Sequence, residues 1–240
     1  MTDAVKINCG NTKMVAHRGL SGLECENTLA AFIAAGNRDY FGIETDVHVT
    51  ADGGLVVIHD DSTGRVSQTD LPVEGSRFDE LRALTLNARD GRPRIDLRIP
   101  TLEEYLDVCR RYGKISVLEI KNAFGRTDLE RVAEAVKREY SVEGLIFISF
   151  CYENLVILRE LLPNAKLQFL CGEKVDDALA DKLLAHGLDL DIHHSCLDRA
   201  AIELLHSRGI AVNCWTVDDP ARAEELAGWG VDFITSNILH

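Results

Sequence analysis

The sequence predicts an α/β fold, a TIM-type (β/α)8 barrel, and three observations carry this. Eight short apolar runs fall at residues 14–17, 42–47, 115–120, 145–150, 166–171, 188–192, 211–216 and 231–235. Amphipathic stretches with helical spacing separate them, at 28–35, 102–111, 129–140, 178–186, 200–207 and 221–229. The 240 residues, 46% of them hydrophobic, suffice for one large core. Strand–helix alternation requires parallel strands with right-handed crossovers, and eight such units close on themselves.

The elements follow in order. The run at 14–17 ends in His17-Arg18-Gly19 and forms the first strand. The second strand, from Gly42, carries Glu44 and Asp46 two apart, so both point to one face. Ala51-Asp52-Gly53-Gly54 is a turn signal, and the apolar run after it, ending at His59, is the returning arm of a hairpin. Pairing Thr50 with Leu55 puts His59 directly opposite Asp46. Residues 60–98 are polar, with Gly and Arg and no clear strand. That is too long for an ordinary loop, so they are expected to form an insertion within a single domain spanning 1–240. Pro100-Thr101, with Glu104 three residues after Thr101, begins a helix with a capping box. Gly113, Gly187, Gly209 and Gly230 stand where helices should stop. Five residues follow Thr235, too few for an eighth outer helix, so the last helix is expected to be truncated away.

Charge and cysteine content narrow the function. The formal net charge is −13, from 26 Lys and Arg against 39 Asp and Glu. This disfavours nucleic acid and anionic membranes as partners, because phosphate polymers are bound by clustered basic charge. Seven Cys, with no CxxC pair, point to a reducing compartment without a disulfide framework. The N-terminal residues have no apolar leader pattern, and no run is long enough to span a bilayer. A cytoplasmic protein without stable membrane insertion is expected.

Active sites of such barrels sit at the C-terminal strand ends. There the chain offers His17 and Arg18, then Glu44 and Asp46, then Glu119 and Lys121, with Ser149-Phe150 and Trp215 farther round and His59 on the hairpin. Glu44, Asp46 and Glu119 are oxygen donors of the kind hard divalent cations prefer, so Mg²⁺ or Ca²⁺ is expected, with Mn²⁺ possible. The alternative is that these acids only form rim salt bridges to Arg18 and Lys121. Three on facing positions favour the metal. His17 and His59 are suited to proton transfer near neutral pH. Arg18 and Lys121 suit a phosphate, and a salt-bridge role stays open for Lys121. His48 reads as a rim residue, His193-His194 as a solvated loop, and Trp215 as core or site wall. Nothing visible near Cys25 lowers its pKa.

The segments His17-Arg18-Gly19, Glu26-Asn27-Thr28, Glu44-x-Asp46-Val47, Thr50-x-Asp52-Gly53 and His59-Asp60 resemble the glycerophosphodiester phosphodiesterase family. The resemblance continues through Ile99-Pro100-Thr101-Leu102-Glu103, Leu118-Glu119-Ile120-Lys121, Ser149-Phe150, Trp215-Thr216-Val217 and Gly230-Val231-Asp232. It covers nearly the whole chain outside residues 60–98. It implies a metal-dependent TIM barrel that hydrolyses small-molecule glycerophosphodiesters to sn-glycerol 3-phosphate and an alcohol. It assigns His17 and His59 as the acid–base pair, Glu44, Asp46 and Glu119 to the metal, and Arg18 and Lys121 to the phosphate. Phe150 and Trp215 become the apolar wall. The implied route is attack by the substrate's own glycerol hydroxyl, giving a cyclic phosphate that water opens. An internal nucleophile needs only positioning, a base and charge neutralisation, which these residues supply. Two positions depart from the family pattern: Cys25 where Pro is usual, and Ser236 where Asp is usual. A related phosphodiesterase acting on lysophospholipids, or an idle phosphate-binding barrel, are the alternatives. The alcohol and the oligomeric state are left open.

Overall fold

The computed structural model describes residues 3–240. Eight parallel strands form a closed barrel: β1 (Lys13–Ala16), β2 (Gly42–Val49), β4 (Ile115–Ile120), β5 (Leu145–Ser149), β6 (Lys166–Cys171), β7 (Asp189–His193), β8 (Val212–Trp215) and β9 (Phe233–Ser236). Pairing of β1 with both β2 and β9 closes the ring. β3 (Leu55–Val57) is the antiparallel arm beside β2. Each expected run is a barrel strand, with bounds shifted by at most two residues.

Seven helices cover the barrel: α1 (Leu29–Gly36), α3 (Leu102–Tyr112), α4 (Arg126–Glu139), α5 (Tyr152–Leu161), α6 (Asp177–Leu184), α7 (Arg199–Ser207) and α8 (Pro220–Trp229). No helix follows β9, as expected. Instead the chain returns beneath the barrel, where Val5 and Ile7 exchange backbone hydrogen bonds with Ile238 and His240. The α3 start follows its sequence signal. Thr101 Oγ1 accepts from the Glu104 N–H, and Glu104 accepts from the Thr101 N–H. Tyr105 on α3 donates its hydroxyl to the Ile43 carbonyl at 2.6 Å, tying the helix to the strand that carries the acids.

Two apolar layers hold the barrel. The larger lies between strands and helices, with Val47, Leu118, Phe147, Leu167 and Leu190 facing helical residues such as Leu106, Val132 and Leu158. The smaller lies inside the ring and contains Val15, Val117, Ile146, Ile148, Leu170 and Phe233. The segment after β3 contains one short helix, α2 (Phe78–Ala83), and a core of its own. Val66, Val73, Leu81, Leu86 and Leu97 pack there with Val56 and Ile58. Its apolar residues are therefore internal packing, and Ile95 is its one exposed large hydrophobe.

The hairpin register corrects an expectation. His48 pairs with Val56 and Val49 with Leu55, so Thr50 faces Gly54 and Asp46 faces Ile58, not His59. The loop is three residues long, not four. Gly53 sits at φ +84°, and its N–H bonds the Thr50 carbonyl, the arrangement of a tight turn followed by a left-handed residue. Thr50 Oγ1 also accepts from the Gly54 N–H at 2.9 Å. A Cβ at Gly53 would meet only the mobile end of Arg131 at 3.2 Å, so the cost of substitution is backbone strain. Gly53→Ala is expected to lower stability by about 1–2 kcal/mol, read as a lower urea midpoint at unchanged m-value.

Candidate functional site

The site occupies the C-terminal mouth of the barrel. A cavity of about 100 Å³ there is lined by His17, Arg18, Glu44, His59 and Glu119 on one side. Ile148, Phe150, Leu170, Asp191 and Trp215 line the other. His59 arrives despite the changed register because the β3 ladder ends at Val57. The Ile58 N–H still bonds the Asp46 carbonyl at 3.1 Å, and beyond it the chain leaves the sheet. Strict alternation of faces therefore no longer governs residue 59.

Each acid is fixed by a specific partner. Arg18 has left-handed backbone at φ +53°, which aims its N–H at Glu44 Oε2, 2.7 Å away. Gly19 follows at φ +76°, where a Cβ would lie 2.7 Å from the Ala31 backbone, so the turn closes tightly onto α1. Asn27, also left-handed at φ +52°, donates Nδ2 to Asp46 Oδ2 at 2.7 Å and accepts from Thr45 Oγ1. Lys121 Nζ lies 2.8 Å from Glu119 Oε1 and 3.3 Å from Asp46 Oδ1, off the line of a hydrogen bond to either. Arg18 Nε lies 3.6 Å from Asp46 Oδ2.

Both imidazoles are oriented through Nδ1. Asn237 Oδ1 lies 2.8 Å from His17 Nδ1. The Asn237 amide is itself fixed, because its Nδ2 donates to Asp218 Oδ2 at 2.6 Å. Its oxygen therefore faces His17, so Nδ1 carries the proton and Nε2 the lone pair in the neutral ring. His59 Nδ1 lies 2.6 Å from Asp60 Oδ1 and takes the same tautomer. Asp60 accepts from Arg65, which also bonds Glu26, and Glu26 bonds Arg18. The insertion thus joins the site through Arg65.

Asn237, Asp218, Asp60, Glu26 and Arg65 were not among the predicted site residues. The signals for three of them were present: Asp60 adjoins His59, Glu26 opens the Glu-Asn-Thr segment, and Ser236-Asn237 sits at a departure from the family pattern. Ser236 Oγ donates to Asp218 at 2.9 Å, so this edge is a connected network rather than a gap. His48 is likewise not at the rim. It is fully buried, with Nε2 donating to the His59 carbonyl at 3.3 Å and Nδ1 3.1 Å from Glu74. His193 and His194 stack on each other at the end of β7, and His193 meets the Trp215 ring edge-on. Trp215 and half-exposed Phe150 contact edge-on, with centroids 5.6 Å apart. Burial pushes the Cys25 thiol up to about 11, and all seven cysteines are free.

Charge in the mouth is concentrated and unbalanced. Burial, together with the charges of Asp46 and Glu119, raises Glu44 well above the ordinary carboxylate range. Burial and Asp46 push Glu119 up to about 8. Burial also works to raise Asp46, but Lys121, Arg18 and His59 outweigh it and hold that carboxyl low. Burial and the Arg18 charge bring His17 down to about 4, and burial lowers His59. The salt bridges considered as the alternative do exist, yet they leave the cluster unsatisfied. Ligand atoms of Glu44, Asp46 and Glu119 lie within 4.8 Å of one another. Asp46 Oδ1 and Glu119 Oε1 are buried without a hydrogen-bond donor. Convergent hard oxygens, with two acids pushed toward protonation by burial and by their neighbours' charge, fit a divalent cation.

The chain as a whole is similar to known proteins. The model of the glycerophosphoryl diester phosphodiesterase family matches residues 17–239. A glycerophosphodiester phosphodiesterase of Caldanaerobacter subterraneus subsp. tengcongensis is 30% identical, over 94% of each chain. An Oleispira antarctica phosphodiesterase, solved with its product sn-glycerol-3-phosphate, superposes with a TM-score of 0.87. It is 28% identical over 94% of this chain and 93% of its own. A glycerophosphodiester phosphodiesterase from Parabacteroides distasonis superposes with a TM-score of 0.80, at 30% identity over 95% and 93% of the two chains. With the family model running from His17 to Leu239, on a barrel that superposes on solved relatives, this protein belongs to the glycerophosphoryl diester phosphodiesterase family.

Proposed function

We propose that this protein hydrolyses glycerophosphodiesters to sn-glycerol 3-phosphate and an alcohol, with His17 and His59 as the acid–base pair. The observation that carries the reading is the matched orientation of the two imidazoles. Each donates its Nδ1–H to an oxygen, leaving Nε2 as the free nitrogen, and both rings line one cavity beside the acid cluster. The reading takes residues 1–240 as one catalytic domain with 60–98 as an insertion.

The two histidines differ in ways that divide the work. His17 is backed by a neutral amide and stands beside Arg18, so it stays unprotonated at neutral pH and suits the base. Burial lowers His59 too, but the Asp46 charge and the Asp60 carboxylate behind its Nδ1 support its imidazolium, so of the two His59 suits the acid. His17 would take the proton from the substrate's glycerol hydroxyl as its oxygen attacks phosphorus, and His59 would protonate the departing alcohol. The resulting cyclic phosphate is opened by water with the two roles exchanged. Arg18 and Lys121 face the phosphate, and Phe150 and Trp215 wall its organic part. Glu44, Asp46 and Glu119 would hold a divalent cation, Mg²⁺, Ca²⁺ or Mn²⁺, which supplies charge neutralisation at a phosphoryl oxygen. Arg18 and Lys121 would offset only two of the three acids once all are ionised, so a cation is what would let Glu44 and Glu119 shed their protons beside a phosphodiester anion.

Lysophospholipids are less well supported as substrates, because the apolar residues of the insertion pack into their own core. A panel of glycerophosphodiesters assayed with each divalent metal, reading sn-glycerol 3-phosphate, tests the proposal. Failure to release it from any member would refute the reading. Asp60→Asn is expected to remove support for the His59 imidazolium. The alkaline limb of the kcat/KM profile then moves down by about one pH unit. An unmoved limb would remove His59 from the role of acid.

A further inference from the structure

One buried carboxyl in the mouth has no part in the chemistry above. Asp191, on β7, is 1% exposed, lines the cavity opposite the histidines, and its Oδ1 has no hydrogen-bond partner. It lies outside the three-acid ligand set. Three neighbouring polar residues inside the barrel join one another. Asn213 Nδ2 donates to Gln168 and Thr235 Oγ1 donates to Asn213, at 3.2 Å each. Asp191 is paired in register with Asn213 and Leu170 but joins neither by a side-chain bond.

Trp215 lines the same cavity, and its indole Nε1 is a second buried polar atom without a partner. The same cavity is lined by carbon from Ile148, Leu170 and Phe150 and by Thr216 and Thr235. An alkyl group would leave both polar atoms unsatisfied, at a cost of about 1–3 kcal/mol each. An alcohol hydroxyl is donor and acceptor in one atom. It can give its proton to Asp191 and accept from Trp215.

We propose that Asp191 and Trp215 Nε1 form a hydroxyl-recognition subsite for the free terminal hydroxyl of the glycerol moiety, the one not used as nucleophile. This rests on the proposed glycerophosphodiester activity. It makes the barrel mouth two-sided: the histidines and acids handle the phosphate, while β7 and β8 select a polyol over a simple alkyl ester. Sites built to bond a hydroxyl discriminate strongly against analogues that lack it.

Binding of sn-glycerol 3-phosphate and of n-propyl phosphate, which lacks both hydroxyls, is measured by calorimetry on the Mg²⁺-loaded full chain. The wild type should prefer sn-glycerol 3-phosphate. Asp191→Leu and Trp215→Phe should each weaken it by about tenfold, with n-propyl phosphate changed by less than about twofold. Asp191→Asn, which keeps an acceptor, should restore part of the preference. An unchanged ratio of the two affinities in Asp191→Leu overturns the subsite, as does equal weakening of both ligands. If Asp191→Leu does not fold, an unchanged ratio in Trp215→Phe overturns it. Wild-type protein that binds neither ligand and turns over no diester would instead sink the activity itself.

Discussion

His17→Ala and His59→Ala are each expected to lose about 10²–10⁴-fold in kcat on an ordinary glycerophosphodiester, with the unfolding midpoint close to wild type. The two losses should part company when the leaving group is changed. A glycerophosphodiester of p-nitrophenol releases a stable phenolate and needs no proton from an acid. Cyclisation of that substrate by His59→Ala, read as p-nitrophenolate release, should recover most of its rate, whereas His17→Ala should not. Equal losses on both substrates would remove the division of roles. The stability side follows from the contacts. His17 loses one hydrogen bond to Asn237 and His59 one to Asp60, at the solvent-facing end of the barrel, away from both apolar layers.

The second large effect concerns the acid cluster without its cation. Glu44 and Glu119 titrate above their unfolded values, Glu119 near 8. Between the unfolded carboxylate value and that pH, the folded state binds more protons than the unfolded one. Stability therefore falls as pH rises through this window. Chelator-treated protein should melt at a lower temperature at pH 8 than at pH 5.5. A divalent cation at 100 times its Kd adds about 2.7 kcal/mol, or about 5–10 °C for a chain of this size, and the gain should be larger at pH 8. Glu44→Gln keeps an acceptor for the Arg18 N–H while removing one charge from the crowd. Metal-free Glu44→Gln should be at least as stable as wild type at pH 8 and gain little from added cation. A variant clearly less stable than metal-free wild type would show that Glu44 is a structural anion after all. Asp46 should behave in the opposite way, since it lies between Arg18 and Lys121. Asp46→Ala strands two cations in a poorly hydrated mouth.

The barrel was legible because each strand announces itself locally. The runs at 115–120 and 166–171 were bounded to the residue by β-rich composition and flanking turns. The α3 cap was legible because Thr101 and Glu104 interact within one turn. The α5 helix was not singled out, since Asn154, Arg159 and Glu160 break up its apolar stripe. The polar residues that converge at the mouth were visible from their positions at strand ends and on the hairpin, but the groups that orient them were not. Asn237 is 220 residues from His17, and Arg65 is 39 from Glu26. No periodicity relates residues that meet only across a closed ring. The hairpin register failed for a smaller reason: either Gly53 or Gly54 suits the left-handed position, and the choice between them moves the pairing by one.

The contact between His17 and Asn237 ties chemistry to the completion of the fold. The first strand carries the imidazole and the last strand's end supplies the amide that orients it, with β1 and β9 side by side. A chain synthesised only through β8 would already hold Glu44, Asp46, Glu119 and His59, yet its His17 ring would turn freely beside an open seam. Competence would then appear as a late, single event, when the ninth strand zips into place. Any lesion that frays that seam, however far from the phosphate, would be felt as a loss of turnover before it registered as a loss of structure.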